Sequence, residues 1–336
     1  MTSEAAQAVG AMAPRELKDA VEAAKSAFGE DVLEGASLGS RTTYRVGGKA
    51  ALSVVVGDER DLERLARAVG ASGLPVLVVG KGSNLLVADG GFAGIAVFLG
   101  EGFSTVSLPT QDTALEVSAG GAAALPVVAR QSAAAGWHGL EWAVGIPGSV
   151  GGAVKMNAGG HGSDTSAHLI AAEVVDLARA KVETWPLERL EFGLRHSALG
   201  PNHLVLGARF EVEAASAALA VREVEDIVRW RREHQPGGRN AGSVFKNPPG
   251  DHAGRLIEAA GCKGMRLASA EVSPKHANFI ISDREGKADD VVELMLAVAD
   301  RVEQTSGVRL RPEVHLVGFS HHILSSLYGL DGTETR

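Results

Sequence analysis

The chain has 336 residues, too many for one ordinary hydrophobic core, so two or three domains are expected. A hydrophobic share of 45% with 22% charged residues excludes a disordered chain, and a net charge of −8 excludes a general nucleic-acid binder. Glycine is the outlier at 42 residues, while Cys262 is the only cysteine, which rules out an intrachain disulfide and a multi-cysteine zinc site.

In chain order, residues 1–14 are Ala-rich and are expected as a mobile tail with no signal-peptide pattern. Leu17, Val21, Ala24 and Phe28 recur at helical spacing and predict a helix over 16–28. A strand over 51–56 leads to Asp58, a helix cap, and to a helix with Leu62, Leu65 and Val69 on one face. A short strand over 75–79 ends in Gly80-Lys81-Gly82-Ser83-Asn84, and strands over 85–87 and 95–99 close a first unit, residues 15–100. The second unit, 101–213, has a strand near 115–118, a helix over 122–135, a long glycine-rich loop, and strands near 172–177, 181–185 and 203–212. A charged helix over 221–234 opens the third unit, 214–318, where 254–260 and 288–304 read as helices and 278–282 and 308–317 as strands. Residues 319–336 read as a loose extension. No apolar run reaches the roughly 18 residues that span a bilayer, so no membrane insertion is expected and the expected location is the cytoplasm.

Five segments carry chemistry-bearing residues. Gly80 and Gly82 allow close backbone approach, and successive amides there suit an anion, although a tight hairpin has the same composition. The third glycine of a dinucleotide fingerprint is missing, and Lys81 is not followed by the Ser or Thr of a Walker loop. Gly145-Ile146-Pro147-Gly148-Ser149-Val150-Gly151-Gly152 continues to Asn157-Ala158-Gly159, a composition that suits a cofactor pyrophosphate or a planar ring against bare backbone. Arg195, beside a glycine-containing turn, has the fork geometry for a carboxylate or phosphate. Gly242-Ser243-Val244-Phe245-Lys246-Asn247 groups a hydroxyl, an ammonium and an amide without a hydrolase motif around Ser243. Glu313 follows Arg309 and Arg311 in a strand-like run. Eleven histidines show no metal-ligand spacing, and no metal is expected.

These segments fall in a set of seven. The others are Thr42-Thr43-Tyr44-Arg45-Val46-Gly47-Gly48 and Lys275-His276-Ala277-Asn278-Phe279, and the last of the five extends over Arg311-Pro312-Glu313-Val314. In this order and at these separations, over roughly 40–318, they resemble the UDP-N-acetylenolpyruvoylglucosamine reductases. The resemblance implies an α+β fold: a two-part FAD-binding module of the vanillyl-alcohol-oxidase type plus a C-terminal α+β substrate-binding domain. It assigns Gly80, Lys81, Gly82, Ser83, Asn84 and Leu85 to noncovalent FAD, chiefly its pyrophosphate, together with Gly145, Ile146, Pro147, Gly148, Ser149, Gly152, Asn157, Ala158 and Gly159. Catalysis falls to Arg195, Ser243 and Glu313, with a protonated Glu313 donating to the substrate carboxylate.

The implied reaction is peptidoglycan precursor synthesis in the cytoplasm: NADPH reduces the flavin and leaves, and the enolpyruvyl ether of a UDP-sugar enters the same site. No obligatory protein partner is implied. The better-known form of the family has a tyrosine before the catalytic arginine and another on a lid. Here Leu194 precedes Arg195, and Tyr44 and Tyr328 are the only tyrosines, so the resemblance is to the form without the lid. Lys246, Asn247, Lys275 and His276 are then expected to hold the substrate's anionic parts. Two rivals stand beside this reading. An FAD oxidase of the same superfold would consume oxygen with a simple alcohol, and a non-catalytic nucleotide-binding regulator would be colourless.

Overall fold

The computed structural model describes residues 6–7, 13–110 and 115–329. Most of the tail expected over 1–14 lies outside the described residues, but Ala6–Gln7 pairs as a parallel strand with His315–Val317, and Pro14 opens the first helix.

The first unit is a four-stranded sheet in the order Val32–Glu34, Ala50–Val56, Phe92–Leu99, Val76–Val78. Its last three strands run parallel. Helices α1 (Pro14–Phe28) and α2 (Glu59–Ser72) cover it. Asp58 caps α2 as its residue type predicts, accepting from the amides of Arg60 and Asp61. Leu62, Leu65 and Ala68 of α2 pack with Val54, Val56 and Ile95 of the sheet.

The second unit is a five-stranded antiparallel sheet. Its order is Lys181–Pro186, Leu169–Asp176, His203–Glu211, Glu116–Gly120, Val106–Ser107. Its core also takes α3 (Leu125–Ala134), α4 (Val150–Met156) and α5 (Ala217–His234). Placing α5 in a third unit from residue 214 is therefore corrected. Its charged surface hides a narrow apolar stripe, Ala220, Val224 and Ile227, that is buried in the second core. The glycine-rich loop expected after α3 is also partly helix, because Ser149 caps α4 by accepting from the Gly152 amide at 3.2 Å.

The third unit packs α6 (Ala253–Ala259) and α7 (Ala288–Ser306) with a small antiparallel sheet of Arg266–Leu267, Ala270–Val272 and Ile280–Ser282. The strand expected over 308–317 shortens to His315–Val317, which leaves the third unit to lie parallel to Leu85–Val87 of the first. The C-terminal extension is not loose in its described part. Ser320 caps α8 (His321–Tyr328), and Leu324 and Leu327 are buried in the third core. The Tyr328 hydroxyl donates to the Val314 carbonyl at 3.4 Å, so this segment turns into its own unit. No helix among the described residues is long and apolar enough to cross a membrane.

Candidate active site

A cavity of about 1000 Å³ opens where the three units meet. Gly80, Lys81, Gly82, Ser83, Asn84 and Leu85 all line it. Among the described residues no hydrogen bond takes the backbone amides of Lys81, Gly82, Ser83 or Asn84, so they remain as donors along the wall. Gly82 makes this turn possible. It sits at φ +63°, and a methyl group there would lie 2.3 Å from the Arg41 carbonyl oxygen.

The second glycine loop faces the first, since a methyl on Gly80 would strike the Ser149 hydroxyl at 2.3 Å. Ile146, Pro147, Gly148, Ser149, Gly152, Ala158 and Gly159 line the cavity. Gly145 and Asn157, also expected at the cofactor, are not among the residues on the cavity wall. Asn157 instead closes α4 in a left-handed conformation, donates to the Gly193 carbonyl at 3.2 Å and accepts from the Ser166 amide at 3.0 Å. It is scaffold. The row of open amides, the bare glycines and the apolar side chains of Val76, Leu77 and Leu204 suit a flavin dinucleotide. They offer an anion its donors and a flat ring an unobstructed wall.

Arg195, Ser243 and Glu313 also line the cavity. Arg195 sits at φ +54° at the tip of a hairpin closed by paired bonds between Gly193 and His196 at 3.1 and 3.2 Å. Its Nε donates to Glu313 Oε1 at 2.5 Å, Nη2 to the Gly159 carbonyl at 3.0 Å and Nη1 to the Asn157 carbonyl at 3.4 Å. Glu313 thus accepts from Arg195 through Oε1 here; to donate, as expected from the resemblance, it would have to take up a proton on its other oxygen. The Glu313 amide donates to the carbonyl of Val244, the residue after Ser243, at 2.7 Å. Buried Asn278 holds this segment by accepting from the Phe245 amide at 3.0 Å and donating to the Phe245 carbonyl at 2.8 Å. Asn84 joins the two ends of the cavity, donating to the Glu313 carbonyl at 3.1 Å while its own carbonyl accepts from His315 at 3.0 Å.

The four expected substrate contacts are not on the cavity wall. The Lys246 amide donates to the Arg311 carbonyl at 2.9 Å, and Asn247 Oδ1 accepts from the Ala253 amide at 3.0 Å, at the start of α6. Lys275 Nζ donates to the Arg232 carbonyl at 2.6 Å. His276 packs its ring on Phe279 at 4.9 Å. Proximity to a motif does not reveal which way a side chain turns: Asn247 and Lys275 are tied to other backbone groups, while the Lys246 charge lies close enough to act on His315 and His276 packs on Phe279 behind the wall.

Sequence reading missed Lys155, His161, Trp230, Arg231 and His315, which do line the cavity. Arg231 had a signal, because it continues the stripe of Ala220, Val224 and Ile227, and an arginine in an apolar stripe is unusual. Burial, helped by the nearby Lys155 and Lys246 charges, pushes His315 down to about 4, so its ring is neutral near pH 7. Its Nε2 lies 2.9 Å from Met156 Sδ.

Two families match the chain: "FAD binding domain" over residues 50–185, and "UDP-N-acetylenolpyruvoylglucosamine reductase, C-terminal domain" over 234–317. The chain is 41% identical to UDP-N-acetylenolpyruvoylglucosamine reductase of Heliobacterium modesticaldum over 84% of its own length and 90% of the relative. It is 39% identical to the reductase of Chloroflexus aggregans over 83% of itself and 95% of that protein. The crystal structure of UDP-N-acetylenolpyruvylglucosamine reductase from Thermus caldophilus superimposes with a TM-score of 0.74 at 35% identity, covering 84% of this chain and 98% of that one.

Proposed function

This chain belongs to the UDP-N-acetylenolpyruvoylglucosamine reductase family, and from that premise we propose that it binds FAD noncovalently and reduces UDP-N-acetylglucosamine enolpyruvate to UDP-N-acetylmuramate with NADPH. In a cell the reaction is a cytoplasmic step of peptidoglycan precursor synthesis. The observation that carries this reading is the meeting of Arg195, Glu313 and the Ser243 segment beside a loop of open amides. Residues 80–85 and the 146–159 wall would hold the dinucleotide. When bound there, FAD would supply the hydride chemistry, relaying the two electrons of NADPH to the methylene carbon of the enol ether.

The chain's own groups deal with the charge that this transfer creates. As the hydride adds, negative charge develops on the neighbouring carbon and spreads into the attached carboxylate. Arg195, fixed by Glu313 and two carbonyls, presents its guanidinium to that carboxylate, so the stabilising charge is in place beforehand. Ser243 then gives its hydroxyl proton to the carbanionic carbon and is reprotonated from solvent. The tie from Asn278 to Phe245 keeps the serine from drifting, which such a transfer requires.

Anaerobic titration tests the reading. NADPH should bleach the yellow protein, the enolpyruvyl UDP-sugar should restore its colour, and mass spectrometry should find the sugar heavier by two hydrogens. A colourless protein, or a bleached one that this substrate leaves bleached, would overturn it.

A further inference from the structure

Arg231 stands where the stripe of α5 would place another aliphatic side chain. It is half-buried on the cavity wall, and among the described residues its guanidinium has neither a hydrogen-bond partner nor an ion-pair partner. An unpaired guanidinium removed from water is costly, and burial pushes its pKa down. A fold that holds such a group against an open cavity leaves it positioned for an anion.

Its surroundings share that orientation. Trp230 is 45% exposed at the same wall, and the ring of His161 meets it edge-on at 5.2 Å. His161 lies between Gly160 and Gly162 at φ +55°, a left-handed conformation that a histidine adopts at a cost. Gly145 explains how both groups fit. A methyl there would come within 2.9 Å of His161 Nε2 and 3.1 Å of Arg231 Cδ, so the missing side chain is the floor on which the two converge. Burial first, then the Arg231 charge, lowers the His161 pKa, which leaves a neutral ring able to donate beside the cation.

We propose that Arg231, with His161 beside it, seats the diphosphate of the UDP-sugar, separately from the amide row of residues 80–84. The assignment rests on the function proposed above. His161 is two residues from Gly159, whose carbonyl accepts from Arg195, so the seat lies on the Arg195 side of the cavity. NADPH carries a diphosphate as well and shares that chemistry.

Calorimetric titration of the FAD-loaded protein with UDP is the direct probe, using wild type, Arg231→Gln, Arg231→Lys and Gly145→Ala. Loss of one charge-assisted contact should weaken UDP about 10–100-fold in Arg231→Gln, with partial recovery in Arg231→Lys. Gly145→Ala should weaken UDP too while keeping every charge. Rapid mixing supplies the second arm, from the concentration dependence of reduction by NADPH and of reoxidation by the enolpyruvyl substrate. A loss confined to the UDP-sugar, or shared by both ligands, supports the seat; a loss confined to NADPH overturns it. Unchanged UDP affinity in Arg231→Gln overturns it as well. A wild type that neither binds UDP nor is reoxidised fails the proposed function instead.

Discussion

Residues 80–84 present backbone to the cavity: open amides in one short run, shaped by a glycine at positive φ. At the other end, Arg195, Ser243 and Glu313 present side chains from segments far apart in the chain, held by a hairpin, by Asn278 and by each other. The first kind of wall suits a ligand that stays, because backbone donors need no ordering when it binds. The second suits a ligand that comes and reacts, because charge and proton must be aimed at particular atoms. Asn84 joins the two by bonding to Glu313 and His315.

If the ends divide the work in this way, they can be damaged separately. Arg195→Gln removes the cation aimed at the substrate carboxylate and should slow reoxidation by the enolpyruvyl substrate by about 10²–10³-fold in rapid mixing. Flavin reduction should change far less, and equal slowing of both steps would break the division. Gly82→Ala attacks the other end. It forces a side chain into the left-handed region, at roughly 1–2 kcal/mol, and against the Arg41 carbonyl. FAD affinity, measured by fluorescence after dialysis, should fall by about tenfold or more. The smallest effect belongs to Lys275→Ala, because Lys275 bonds to the Arg232 carbonyl away from the cavity. The Michaelis constant for the UDP-sugar should stay within about twofold, in the range of ordinary surface substitutions. A large rise would restore Lys275 as a substrate contact.

The same contrast explains what was legible in the sequence. A backbone site leaves a local trace, so Gly80 to Leu85 could be read as a unit, and all six line the cavity. The Asp58 cap was legible for the same local reason. Gly145 stood out in the sequence as bare backbone, but that its bareness makes room for His161 and Arg231 depends on tertiary packing. Asn247 and Lys275 could not be placed because a side chain's direction is a tertiary property. The burial of α5 in the second core was hidden by its charges, although the stripe through Val224 and Ile227 was present in the chain. The extension after residue 318 looked polar, yet Leu324 and Leu327 are spaced to fill one helix face.

The division between the two ends is tested most directly by Ser243→Ala under anaerobic rapid mixing. The proposed division gives Ser243 a role only in the step that consumes the substrate, so NADPH should bleach the variant at close to the wild-type rate. Recolouring by the enolpyruvyl UDP-sugar should then lag by about 10²–10⁴-fold, the usual worth of a positioned proton donor. Recolouring at the wild-type rate, or bleaching slowed as much as recolouring, would contradict the account.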